Sequence, residues 1–294
     1  MTMEMFEDTI REMVEEQVGD KFHVRIRKVR KNNGVMKTAL EAAEGEGQAG
    51  ALLYIDDVFH ENMDTEDVEN AARSLSGSCK KHAAAASLNS AGDIFSEWTW
   101  ADVKDRVIIR LINAEWNREM LEQVPYRCFL DLCVVYHLNL GAYEGPLMTT
   151  MVSSSMAERW GIQETDLFNA ALNNMKEHYP ATCRNISEVI GMPEEEGGPC
   201  PIRVLSNEAC LYGAAALIYS NAVHETAEKT GADIYVLPSS VHEVLLLPAT
   251  GEEKEDELTG MVRSVNRTQV MREEWLSDNV YCYDHRSKLY RVIR

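Results

Sequence analysis

The apolar residues of this chain come in short runs, and that alone narrows what it can fold into. Val107 to Ile112, Ile234 to Leu237 and Val244 to Leu247 are of strand length and are bounded by polar or turn-forming residues. None approaches the roughly 20 apolar residues of a membrane span. Elsewhere apolar residues recur three and four apart, as Leu167, Phe168, Ala171, Leu172 and Met175 do, predicting a helix over 164–178. The order that emerges is strand, strand, helix, used several times. That is the grammar of an α+β fold, with antiparallel or mixed sheets and helices packed on one face. The units share no residue-level period, so no repeat architecture is implied.

The first part reads α-β-β-β-α. Met5, Phe6, Ile10, Met13, Val14 and Val18 predict an amphipathic helix over 3–18, ended near Gly19. Val24, Ile26 and Val29 alternate with Arg25, Arg27, Lys28 and Arg30 in a strand. Asn33-Gly34 is the clearest hairpin signal in the chain, because both residues tolerate positive φ. A second strand over 35–42, a loop over 45–50, a strand over 51–55 and a helix over 65–81 follow. The soft stretch Ala83 to Gly92 marks the expected boundary between a domain over 1–90 and one over 91–294.

In the second part, strands are expected at Val107 to Ile112, at Phe129 to Leu138 as one long strand, and at Met148 to Ser153. The loop 191–201 breaks the pattern with Gly and Pro. Beyond it come a hairpin of Ile202 to Leu205 with Gly213 to Tyr219, then a helix over 221–230 closed by Gly231. A second hairpin pairs Ile234 to Leu237 with Val244 to Leu247 around Pro238-Ser239-Ser240, and a helix over 254–266 follows. Val280 to Tyr283 and Leu289 to Ile293 form a last strand pair around Asp284 to Ser287, with Leu289 and Val292 completing one apolar face and Asp278 capping the turn into it.

Charge sets limits on partners. With 29 Lys+Arg against 48 Asp+Glu, the formal net charge of the 294 residues is -19. Such a field repels nucleic acid and anionic lipid and suits solubility or a basic protein partner. The N-terminus, Met1 to Glu16, has neither the basic n-region nor the apolar h-region of a signal peptide. Seven cysteines without C-x-x-C spacing read as small buried hydrophobes of a reducing cytoplasm, not as a disulfide or zinc framework.

Pro238-Ser-Ser-Val-His-Glu243 holds the ingredients of nucleophilic catalysis: Ser239 or Ser240 as nucleophile, His242 as base, Glu243 to orient it. Adjacent residues on a strand point to opposite faces, so His242 and Glu243 do not form a self-contained triad, and no G-x-S-x-G elbow occurs. The preferred reading is a turn in which the Ser239 and Ser240 hydroxyls satisfy turn amides and His242 bonds a backbone carbonyl. The eight histidines are scattered and His242-Glu243 lacks the H-E-x-x-H partner, so no metal site is expected. No Walker A or G-x-G-x-x-G motif is present, and no cofactor is called for. Asp131, between Leu130 and Leu132, is expected on the exposed face of its strand.

Arg25, Arg27, Lys28, Arg30 and Lys31 form a basic cluster on the first strand. The α-β-β-β-α order is also that of double-stranded RNA-binding domains, which use basic residues at the start of the second helix. Here that helix begins Thr65-Glu-Asp-Val-Glu69, which is acidic. Arg25, Arg27, Arg30 and Lys31 are therefore expected to pair with surrounding acids more than to hold phosphates.

Several segments carry a resemblance over nearly the whole chain, in order. They are Lys31-Asn-Asn-Gly-Val35, Phe129-Leu-Asp-Leu132, Glu158-Arg-Trp-Gly161, Tyr212-Gly-Ala-Ala215, Val236 to Val244, Val265 to Val270 and Leu276 to Tyr283. With them the chain resembles an uncharacterised bacterial family of gut anaerobes, domain of unknown function 5688, often found near mobile elements. The middle section is also similar to a second uncharacterised family. The resemblance implies a bacterial, cytosolic protein and assigns no activity. The expectation is a non-enzymatic interaction or regulatory protein of a mobile element or host defence system. A hydrolase using Ser239 or Ser240 with His242 is the second reading, and a nucleic-acid binder through residues 25–31 the third.

Overall fold

Phe6, Ile10, Val14 and Val18 stand four residues apart, and in the computed structural model they form the buried stripe of helix α1, Met3–Val18. The Thr2 hydroxyl accepts the Met5 amide at its start, and Gly19, at φ 83°, ends it. The structure describes residues 1–44, 51–88, 98–142, 147–191 and 202–294; the expected loop at 45–50 and nearly all of that at 191–201 lie outside them. The chain forms two compact units, Met1–Lys31 with Val35–Trp98 and Asn32–Gly34 with Thr99–Arg294.

In the first unit, strands β1 (Phe22–Arg30), β2 (Met36–Glu44) and β3 (Ala51–Tyr54) make an antiparallel sheet in that order. The alternation of β1 buries Phe22 and Val24 and turns His23 and Arg25 outward. Asn33 (φ 59°) and Gly34 (φ 70°) take the left-handed conformations that a tight reversal requires. Helix α2, Thr65–Leu88, continues past the expected end at Lys81 through an alanine run, since alanine is the best helix former. Only 89–92 of the soft stretch remain, and they lie outside the described residues. Val68, Ala72, Leu75 and Cys79 of α2 join the α1 stripe over Leu40 and Ala42 of β2.

The second unit holds two antiparallel sheets. In one, the long strand β6 (Leu132–Ala142) pairs β4 (Val107–Asn113) along one edge. Strands β5 (Tyr126–Phe129) and β7 (Leu147–Met151) pair it along the other. The single strand expected over 129–138 is thus two, broken at Leu130-Asp131, where Leu130 adopts φ 58° and the chain reverses. Ser153 caps the short helix α3, Ser154–Trp160, which Gly161 ends in a left-handed conformation. Helix α4, Glu164–His178, lays Leu167, Ala171 and Met175 into the core, as their spacing predicts.

The other sheet has the order β13-β12-β10-β11-β9-β8. Its strands are β8 (Ala181–Asn185), β9 (Arg203–Asn207), β10 (Ile234–Ser240), β11 (Glu243–Pro248), β12 (Val280–Asp284) and β13 (Leu289–Ile293). The expected strand at 213–219 is instead a 3-10 turn, Gly213–Ala215, and a helical turn, Ala216–Tyr219. The segment opens Gly213-Ala-Ala-Ala216, and alanine favours helix over pleat; β9 pairs with β11 and β8. Helix α5, Ala222–Thr230, ends on left-handed Gly231. Helix α6, Glu255–Gln269, packs Leu258 and Val262 against Tyr235, Leu237, Val280, Cys282 and Ile293. The register of the last hairpin sets Val280 opposite Ile293. Ile293 therefore completes the apolar face, and not Leu289 with Val292; Leu289 is exposed. Asp278 accepts a hydrogen bond from the Asn266 amide nitrogen, 2.8 Å away.

Candidate functional site

The β10–β11 turn is held by its own polar atoms. The Ser240 hydroxyl accepts the His242 amide at 3.0 Å, and the His242 carbonyl accepts the Ser206 hydroxyl at 2.8 Å. Ser239 Oγ lies 3.5 Å from Glu243 Oε1. The imidazole of His242 turns away from both serines. Its Nδ1 accepts the Tyr212 amide at 3.2 Å, which puts the neutral ring's proton on Nε2, 3.7 Å from Glu274 Oε1. Burial lowers the His242 pKa and the charge of Arg110 adds to that, while Glu274 opposes it. Neither serine hydroxyl is hydrogen-bonded to the ring. The geometry among the described residues is that of an amide-capping turn.

What surrounds His242 is a second set of residues. The Tyr212 ring stacks on His242, with centroids 5.8 Å apart and planes inclined by 14°. The Arg110 guanidinium lies 4.8 Å from the Tyr212 ring centroid, and the His137 ring 5.7 Å from it. The Thr149 and Tyr212 hydroxyls are 3.4 Å apart. The sheet register explains part of this convergence: His137 of β6 faces Ile108 of β4, so Arg110 lies diagonal to His137 on the same face. Tyr212 is delivered by a loop in which it adopts φ 50°. The next residue must be glycine. A Cβ at 213 would stand 2.1 Å from Ser206 Oγ, 2.4 Å from His242 O and 2.9 Å from the Asn207 amide nitrogen.

Two members of this cluster are under-satisfied. His137 is 5% exposed, and neither ring nitrogen has a hydrogen-bond partner among the described residues. Burial first, and the positive Arg110 second, push its pKa down to about 3, so it is neutral near pH 7. Arg110 is half-buried, with its Nε sealed from water and unpartnered among the described residues. Burial pulls its pKa down, opposed by Tyr212, Glu274 and Glu273. The sequence alone assigns a role to neither Arg110 nor Tyr212, although Tyr212 opens one of the segments that carry the family resemblance. The one signal available for Arg110 was a cation inside the run Val107 to Ile112.

Other expectations resolve differently. Asp131 sits in the β5–β6 turn and is not a solvated strand residue. Its carboxylate accepts Ser277 Oγ at 2.7 Å, Asn279 Nδ2 at 2.9 Å and the Tyr281 hydroxyl at 2.7 Å. The basic strand of the first unit is paired: Arg25 and Arg27 both bond the buried carboxylate of Glu41, and Lys28 Nζ lies 2.6 Å from Glu7 Oε1. Lys31 Nζ lies 3.9 Å from the Tyr54 ring centroid, and Arg30 is exposed. Among the described residues no group of three or more His, Cys, Asp or Glu is arranged to hold a metal ion. No helix among them is long and apolar enough to cross a membrane.

An α+β chain with a buried polar cluster between loop and sheet is the class that fold and site define. The chain belongs to the Family of unknown function (DUF5688), whose model matches residues 3–285. No curated protein and no solved structure matches the chain.

Proposed function

We propose that this is a non-enzymatic interaction or regulatory protein of a bacterial cytoplasm, in which the second unit receives a ligand at the cluster around Tyr212. One observation carries the reading. Both nitrogens of His242 face protein partners, the Tyr212 amide and Glu274, while the Ser240 hydroxyl accepts a backbone amide and is not hydrogen-bonded to the ring. A nucleophile must share a hydrogen bond with its base before it can be activated. That arrangement supports a turn-holding role for these residues. Polar side chains left under-satisfied beside them are what a binding site needs. The net charge of -19 favours a basic protein as the macromolecular partner. The test is turnover of p-nitrophenyl acetate and p-nitrophenyl butyrate by the full chain. Wild type should not exceed buffer, and Ser240→Ala and His242→Ala should cost stability on the order of 1 kcal/mol through lost turn bonds. Turnover by wild type that vanishes in either variant at an unchanged melting temperature would establish the hydrolase instead.

A further inference from the structure

We infer that the Tyr212 cluster binds a small oxyanion, a carboxylate or a phosphate, against the guanidinium of Arg110. This rests on the ligand-receiving reading of the same site. Arg110 carries a permanent charge and shares its strand face with Ile108 and Ile112, both buried. A cation in such a place is costly unless a contacting anion compensates it. Among the described residues Arg110 makes no ion pair, and its Nε has no partner. Glu274, the carboxylate that comes nearest in influence, lies against His242 Nε2. His137 cannot serve as counter-ion, since an imidazole is at most neutral or positive. The Tyr212 ring face offsets part of the charge through its quadrupole. The rest is left for something from outside.

Access and shape fit that reading. Arg110, Thr149, Tyr212, His242 and Glu274 are all half-buried, so each of the five keeps some surface in solvent. A guanidinium edge presents parallel N–H donors matched to two oxygens of a carboxylate or phosphate. The Thr149 and Tyr212 hydroxyls, one beside the other, supply further donors at the rim. The cavity of about 320 Å³ lined by Arg203, Lys229, Cys183, Ser220 and Glu225, where two cations face a concavity, serves as the internal control.

Isothermal titration of the full chain with sodium phosphate and, separately, sodium acetate, at ionic strength held constant with chloride, tests the inference. Saturable binding of one or both is expected, and which of the two binds assigns the ligand as phosphate or carboxylate. Arg110→Gln should weaken it roughly 10- to 100-fold, the worth of a charge-assisted bond. Arg110→Lys, which keeps the charge and loses the fork, should fall between. Lys229→Gln should bind as wild type. Should Arg110→Gln fail to fold, Tyr212→Phe decides: it keeps the stacked ring, and binding must weaken with loss of the rim hydroxyl. No saturable heat from either anion, or wild-type affinity in Arg110→Gln (in Tyr212→Phe where Arg110→Gln does not fold), overturns the inference. Esterase turnover with anion binding intact would sink the non-enzymatic reading alone.

Discussion

Protonating His137 would put a second positive charge beside Arg110 in a place closed to water, and this makes the residue a measurable pH element. Its pKa is about 3 in the folded chain against 6.5 ordinarily. Above pH 6.5 both folded and unfolded chains hold it neutral, and it costs nothing. Below that, the unfolded chain takes up a proton that the folded one cannot, so stability falls from pH 6.5 toward 3 and then levels. The loss amounts to about 2 kcal/mol by pH 5. Urea denaturation at pH 7 and pH 5 checks this: His137→Leu should lose less stability over that interval than wild type by about the same amount, and identical losses would show that His137 is not buried neutral. His137 was visible in sequence only as a histidine in a strand. Asp131 shows the same limit from the other side. Strand alternation placed it in solvent, and a reversal at Leu130 instead aimed it at three donors far along the chain.

At the scale of elements, periodicity served well where a local rule decides the outcome. Helices α1, α4 and α5 and the Asn33-Gly34 reversal follow from apolar spacing, caps and positive φ. It failed at 213–219, where an apolar run with three alanines and one β-branched residue, Ile218, became helical as Tyr212 and Gly213 turn the chain close over β9. The C-terminal hairpin is the element with the clearest consequence. Strand β12 is hydrogen-bonded between β10 and β13, and Val280, Cys282 and Ile293 cover Tyr235, Leu237, Leu258 and Val262. Truncation after Asp278 should strip that cover and leave β10 an open edge, which invites association. The expected product is aggregated or molten by size-exclusion chromatography and near-UV circular dichroism. Early proteolytic release of 279–294 from a folded, monodisperse body would show the hairpin to be dispensable.

For the whole molecule, charge is the property that selects partners. The net charge of -19 opposes nucleic acid, and the basic strand that departs from it has Arg25 and Arg27 committed to Glu41. The first unit has the α-β-β-β-α order of a double-stranded RNA-binding domain without its chemistry, since α2 begins Thr65-Glu-Asp. We expect no gel shift of a double-stranded RNA at physiological salt; low-micromolar binding abolished by Arg27→Glu would reverse that expectation.

The sequence by itself determined the α+β class, most helices and hairpins, and the family, because each is written in residues near one another. Apolar spacing tells which face of an element is buried, and a glycine or proline tells where it stops. Tertiary structure alone decided the site. Arg110, His137, Tyr212, His242 and Glu274 belong to five separate segments, and no local rule relates them. They meet because β4 pairs with β6 in one register, because Gly213 leaves room for Tyr212 to close over His242, and because the chain after α6 returns with Glu274 on the other side. Periodicity reports burial and is silent on neighbours, and the chemistry of this cluster consists of neighbours.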